Sequence, residues 1–427
     1  MRWQNWAGNQ SADPVAVEHP SYREDLVRIV REAGARRIKA VGAGHSFTAI
    51  AVTDGIQLQL DRYERLVSVD RESGLVTVES GMPLHQLNAL LLQHGLGLTN
   101  MGDVDAQTIS GAISTGTHGT GRASASLAAQ VVGLELVLAS GEVVTCSATE
   151  RSDLFAAARV GLGALGLIST VTIQAEPAFL LEADERPMAL DDVLDGIDDL
   201  VGANEHFEYY WFPHTTTALV KRNNRTDGPP RPLGLRGLVD DEVLSNGLFR
   251  LTCEVAKARP DLTARINGVA AKALGARTYV DAAPRVFTSP RRVRFKEMEY
   301  AIPRAELAPV VRELQSFVES SGLQISFPVE VRVAPADDLW LSTASGRDSA
   351  YVAVHVFRGT DHERYFEGAE RIFTAAGGRP HWGKLHTRTA DDLRASYPRF
   401  DDFVALRDEL DPDRRFANDY LDRVLGA

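Results

Sequence analysis

Two short runs carry charged groups spaced for chemistry. At residues 327–333, Val329, Val331 and Val333 alternate with Glu330 and Arg332. Side chains of a strand alternate between faces, so the carboxylate and the guanidinium share one face, their Cα atoms about 7 Å apart. Such a pair either walls a polar cavity or forms a salt bridge on an exposed sheet face, and the residues alone leave both open. His355 alternates with valines at 351–357, where a histidine is either a satisfied core residue or a site group. Lys384 closes His381-Trp382-Gly383-Lys384, and His386 follows two residues on.

Two glycine-rich stretches suggest a ligand-binding backbone. In Ala40-Val41-Gly42-Ala43-Gly44-His45-Ser46, two glycines bracket a small residue directly after an apolar run. A strand entering such a loop can present backbone N–H groups to phosphate oxygens. The usual dinucleotide fingerprint has a third glycine and opens a helix; His45-Ser46-Phe47 gives neither sign. The second stretch, 102–121, is built of small and hydroxyl-bearing residues, among them Thr108, Ser110, Gly111, Ser114, Gly116, Thr117, His118, Gly119 and Thr120. Side chains this small make no packed core; they let the backbone approach a large polar ligand and offer it hydroxyl donors.

The elements needed to position these groups are legible in outline. Ser21 and Glu24 read as a capping box for a helix that Gly34 stops. Strands are expected at 37–41 and 56–60, and hairpins at 67–78 and 131–146. Pro83 is placed to start a helix ending at Gly95, a further helix spans 154–160, and a strand runs over 167–173. Beyond Pro177 long strands alternate with helices, with strands at 207–212, 294–300, 325–333 and 351–358. The proline- and glycine-rich run from Thr226 to Glu242 reads as a mobile surface loop.

Composition sets the frame. With 427 residues the chain is too long for one core, so two or three domains are expected. A net charge of −12 and the lack of a basic block argue against a nucleic-acid partner. Cys146 and Cys253 have neither disulfide nor metal spacing, so no metal is expected. No apolar run reaches membrane-spanning length and no signal-peptide core stands at the N-terminus, which reads as a cytoplasmic protein without membrane insertion.

Taken in order, these motifs form a specific set. It runs from Asn5-Trp6 through Gly42-Ala43-Gly44-His45-Ser46 and residues 116–121 to Gly163-Ala164-Leu165-Gly166 and Glu297-Met298-Glu299-Tyr300. It continues with Glu330-Val331-Arg332, His381-Trp382-Gly383-Lys384 and Asn418-Asp419-Tyr420-Leu421. With this set the chain resembles the FAD-binding oxidoreductases of the vanillyl-alcohol oxidase superfamily. Within them it is most similar to the sugar-lactone branch, the L-gulono-1,4-lactone and D-arabinono-1,4-lactone oxidases and dehydrogenases. Alditol oxidases share several of the same elements.

The resemblance implies an α+β fold: a two-subdomain FAD-binding domain and a substrate (cap) domain built on an antiparallel sheet with helices. The expected division is 1–177 for FAD, 178–380 for substrate, and a segment 381–427 that returns to complete the active site. FAD would lie against Ala40, Val41, Gly42, Ala43, Gly44, His45 and Ser46, and against Thr108, Ser110, Gly111, Ser114, Gly116, Thr117, His118, Gly119 and Thr120. Backbone near Ile168 would meet the adenine half, Lys384 would stand beside the flavin, and His45 would carry the flavin covalently. Glu330, Arg332 and Lys384 would be catalytic, with Thr108 and His355 joining them around the substrate. The implied reaction oxidises a CH–OH group of an aldono-1,4-lactone, with oxygen or another carrier as final acceptor. The runner-up is an alditol oxidase making hydrogen peroxide, and a non-catalytic flavin- or sugar-binding protein comes third.

Overall fold

The structure, a computed structural model, describes residues 2–234, 247–289 and 292–427. Two larger sheets organise the N-terminal part. Ala16–Glu18, Ile56–Gln59 and Ile38–Val41 form a parallel sheet in that order, with the helix Arg23–Glu32 supplying Leu26, Ile29 and Val30 to the core beside it. Five antiparallel strands form the second sheet, in the order Val143–Ser147, Val131–Val137, Leu167–Gln174, Leu75–Glu79 and Leu66–Asp70. Its core takes in Val76, Val78, Leu134, Leu136, Val171 and Ile173 together with Leu84, Leu87 and Leu91 of the helix Leu84–Gln93.

An eight-stranded antiparallel sheet dominates the rest. Its order is Arg277–Ala282, Leu180–Ala189, Thr217–Thr226, His206–Trp211, Val329–Ala334, Ser349–Phe357, Phe295–Pro303 and Arg379–Pro380. Strict alternation gives the sheet two unlike faces. Tyr209, Val329, Val331, Val352, Val354, Met298 and Tyr300 pack against the helices Leu307–Ser321 and Glu363–Ala375. The opposite face carries Glu208, Tyr210, Glu330, Arg332, His355, Glu297 and Glu299. The chain then returns: Trp382, Leu393, Phe400, Phe403, Tyr420 and Val424 are buried in the same core as the five-stranded sheet. Ile38 N donates to Arg415 O at 2.7 Å, tying this return to the parallel sheet.

Three expectations need correction. The first helix is capped by Asp25, not by Ser21 with Glu24: the Asp25 carboxylate accepts from Ser21 N and Tyr22 N at 3.0 and 3.1 Å. The 102–121 stretch does enter a core, because Ile109, Ala112 and Ile113 on the short helix Ile109–Ser114 are fully buried. The strand expected over 325–333 runs instead over Val329–Ala334. The expected loop from Thr226 to Glu242 lies outside the described residues from 235 onward; before that, Arg231 pairs with Val280.

Candidate active site

The polar sheet face is assembled by register. Tyr210 stands opposite Glu330 and Glu208 opposite Arg332, while Glu297 stands opposite His355. Arg332 is the hub. Its Nε donates to Glu208 at 2.8 Å, a terminal nitrogen pairs with Glu330, and Asp103 lies 3.5 Å away. Tyr210 donates its hydroxyl to Glu330 at 3.0 Å. Glu330 and Arg332 are 7% and 8% exposed, which rules out the exposed surface ion pair. Burial by itself would raise the Glu208 pKa; Arg332 and Lys221 reverse this and hold it below the usual carboxylate range.

A second cluster adjoins the first. Lys384 forms an ion pair with Glu297, and His355 Nε2 lies 3.5 Å from the other oxygen of that carboxylate. Leu385 N and His381 N donate to the carbonyls of Glu297 and Glu299, both at 2.9 Å, so the returning chain is docked on the sheet strand beside the lysine. Although burial disfavours charge, Glu297 and Glu299 keep Lys384 protonated beyond its ordinary range. His118 stacks on Tyr351 with ring centroids 3.5 Å apart and pairs with Glu299 at 3.2 Å. That pair, with His381, brings two imidazoles and a carboxylate within a cation's reach. However, His381 Nδ1 accepts the Gly383 N–H at 3.0 Å. Burial pushes this ring down to about 4, so it is neutral and its proton stands on Nε2, a donor and not a metal ligand.

Most of these groups, including Glu330, Arg332, His355, Glu297 and Lys384, line a cavity that also touches His45, Ser46, Phe47, Thr115 and Thr117. A second cavity meets it at His45, Ser46, Gln107 and Thr115. The second is lined by Ala40, Val41, Gly42, Ala43, Gly44, Thr108, Ser110, Gly111, Ser114 and Ile168. Together they make an elongated trough, small-walled at one end and charged at the other. The two glycine-rich stretches touch inside it: a Cβ on Gly42 would fall within contact distance of Thr108 Oγ1. Gly44 has φ +70, open to glycine at little cost. Among the described residues, the N–H groups of Ala43, Gly44, His45 and Ser46 meet no protein acceptor. Consecutive unpaired donors along a cavity suit a pyrophosphate. The trough therefore fits an extended dinucleotide cofactor.

His45 stands where the cavities meet and stacks on Trp6, ring centroids 5.2 Å apart. Burial, aided by the Lys384 ammonium, pushes its pKa down to about 4, so the imidazole is neutral near pH 7. Thr108 lies in the small-walled cavity, where its hydroxyl caps the helix Ile109–Ser114. Gly116, Gly119 and Thr120 line neither cavity. Thr120 instead donates to the carbonyl of Phe207, joining the glycine stretch to the sheet. His386 lies behind the site, bonded to Tyr420 at 2.9 Å. Sequence reasoning gave no role to Glu297, Glu299, Glu208, Tyr210, Asp103 or Lys39. For the first four the signal was present, since each alternates with apolar residues along a strand as Glu330 does.

The fold is that of FAD-binding oxidoreductases of the vanillyl-alcohol oxidase type. A solvent-stable cholesterol oxidase superposes with a TM-score of 0.86 at 19% identity, covering 100% of this chain and 97% of that one. The FAD binding domain family model matches residues 14–147, and the D-arabinono-1,4-lactone oxidase model matches 171–424. The chain belongs to the D-arabinono-1,4-lactone oxidase family of FAD-dependent sugar-lactone oxidoreductases. It is 44% identical to an L-gulono-1,4-lactone dehydrogenase of Mycobacterium tuberculosis over 427 residues, 99% of each chain. It is 35% identical to the L-gulonolactone oxidase of Bos taurus, over 99% of this chain and 98% of that one. The alditol oxidase of a Streptomyces species is 31% identical, again over 99% and 98%.

Proposed function

We propose that this protein oxidises the CH–OH group beside the carbonyl of an aldono-1,4-lactone such as L-gulono-, L-galactono- or D-arabinono-1,4-lactone, giving an ascorbate-type product. The observation that carries the reading is the junction at His45, where the small-walled trough opens onto the buried face of Glu330, Arg332 and Lys384. Bound FAD supplies the two-electron oxidant that accepts hydride from the substrate carbon. Residues 1–177 and 381–427 hold the cofactor in this reading, and 178–380 form the substrate side. The donors of residues 43–46 would hold the pyrophosphate, Ile168 would border the adenine half, and neutral His45 would be the covalent attachment point.

Arg332 presents a planar two-pronged donor to ring or carbonyl oxygens, and Glu330 binds a hydroxyl. Lys384, held charged by Glu297 and Glu299, would stabilise negative charge on a reduced cofactor. The free, buried thiols of Cys146 and Cys253 suit a reducing compartment, so we place the protein in the cytoplasm. The test is a panel of aldonolactones and alditols assayed with oxygen and with an artificial dye. Turnover of lactones well above that of xylitol and sorbitol supports the reading. The reverse order makes the protein an alditol oxidase, and no turnover of either class sinks both.

A further inference from the structure

Oxidation of an alcohol releases a proton as well as a hydride, and the structure assigns that proton to His355. We propose that His355 Nε2 is the base that takes the substrate hydroxyl proton, with Glu297 and Glu330 stabilising the imidazolium that results. This rests on the lactone-oxidising reading above.

Three observations carry it. First, His355 Nδ1 lies 3.0 Å from Pro328 O. A carbonyl only accepts, so Nδ1 carries the proton and, in the neutral ring, Nε2 carries a lone pair. Second, Nε2 lies on the cavity side, 3.5 Å from Glu297 Oε1 and 4.0 Å from Glu330 Oε2. A lone pair facing two carboxylates has no donor from either; a substrate hydroxyl placed there supplies one, and proton transfer turns a poor contact into two ion pairs. Third, the alternative base is already engaged. Glu330 Oε1 accepts from Tyr210 and pairs with Arg332, so that oxygen is already occupied.

The charged groups around the ring are Glu297 and Glu330 on the two neighbouring strands. Behind them stand Lys384, bonded to Glu297, and Arg332, bonded to Glu330. Phe295 and Phe327 flank the imidazole, edge-on at 5.1 Å and tilted at 6.0 Å. They hold the ring plane without offering a proton. In the step itself the O–H bond breaks and its proton goes to Nε2. The electron pair left behind would form the second C–O bond as the C–H hydrogen leaves as hydride, which bound FAD would accept. The products are a ketone, a protonated His355 and two-electron-reduced cofactor.

The test has two arms. His355→Asn keeps an N–H for the Pro328 carbonyl but leaves nothing at the Nε2 position. In anaerobic single-turnover reduction by L-gulono-1,4-lactone, this variant should be slower by about 10²–10⁴-fold, the usual cost of losing a positioned base. Its rate should also lose the single-proton acid limb expected of the wild type, while its melting temperature stays near wild type. A near-wild-type rate, or an acid limb that persists in His355→Asn and disappears in Glu330→Gln, overturns the proposal. The second arm needs no turnover: ¹⁵N–¹H correlation of the histidine rings, with His355 assigned by its loss in the variant. Protonated Nδ1 and pyridine-type Nε2 at neutral pH are expected, and the opposite tautomer overturns the assignment. If wild type is reduced by no lactone, the functional reading fails while the ring measurement still decides the tautomer.

Discussion

Removing Arg332 should expose how the charged face is balanced. One guanidinium faces three carboxylates: Glu208 at 2.8 Å, Asp103 at 3.5 Å and Glu330 in direct ion pairing. Replacing it by methionine fills the space but leaves Glu208 and Glu330, 8% and 7% exposed, close together without that cation. Breaking a buried ion pair from one side costs about 3–5 kcal/mol. For a substrate half of roughly 200 residues that corresponds to a fall in Tm of about 6–20 °C near pH 7.5.

The pH dependence gives the sharper test. In wild type the Glu208 pKa is depressed, so its stabilisation is present above the unfolded value of about 4.3 and fades as pH falls through the folded value. In Arg332→Met the Glu208 carboxylate has lost its main cation, and burial raises its folded pKa. The penalty is then largest at high pH and shrinks as protons bind. The Tm gap between wild type and variant, followed by calorimetry from pH 8 to pH 5, should therefore narrow. A gap absent throughout, or constant with pH, would refute the claim that these groups are held charged by Arg332. Arg332→Lys should recover part of the stability and little of the activity, because a point charge does not reproduce the two-pronged contact.

Further outcomes follow from the same geometry. Lys384→Met should make the bound flavin harder to reduce, read as a lower midpoint potential, since the ammonium held charged by Glu297 and Glu299 is gone. Gly42→Ala should lower the flavin content of purified protein, and Thr108→Ala in the same chain should restore part of it by removing the clashing Oγ1. His45→Ala should release flavin to the supernatant on acid denaturation, whereas wild type keeps it in the pellet; release from wild type as well would end the covalent assignment. Lys39 is 3% exposed, and burial pushes its pKa down to about 7. The unfolded chain binds more protons above that value, so stability should rise from about pH 7 toward pH 10. Lys39→Met should flatten the rise in urea titrations.

What was readable in the sequence follows from how local each signal is. Glu330, Arg332 and His355 declare themselves through period-2 alternation with valines, a pattern fixed within one strand. Glu297 and Glu299 carry the same pattern, but a methionine and a tyrosine beside them blur the contrast. Tyr210 and Glu208 are harder still, since Phe207, Tyr209 and Trp211 on one face and Tyr210 on the other make that strand aromatic throughout. That these strands lie side by side is a matter of sheet order, and nothing in any one strand encodes it. Asp103 reaches Arg332 across some 230 residues of chain, and Lys39 is buried by the returning segment through its bond to Phe416 O at 3.0 Å. Such contacts depend on the closed fold. The cap of the first helix shows the same limit on a small scale: Glu24 and Asp25 stand side by side, and it is Asp25 that accepts from Ser21 N and Tyr22 N.

The most direct test of the central claim is an anaerobic titration of the oxidised enzyme with L-gulono-1,4-lactone, following flavin absorbance. If the trough holds FAD with its ring against the Glu330–Arg332–Lys384 face, each equivalent of lactone should bleach one equivalent of flavin, and xylitol should bleach far less. Flavin that stays oxidised in excess lactone, in protein that is fully loaded and folded, would contradict the account.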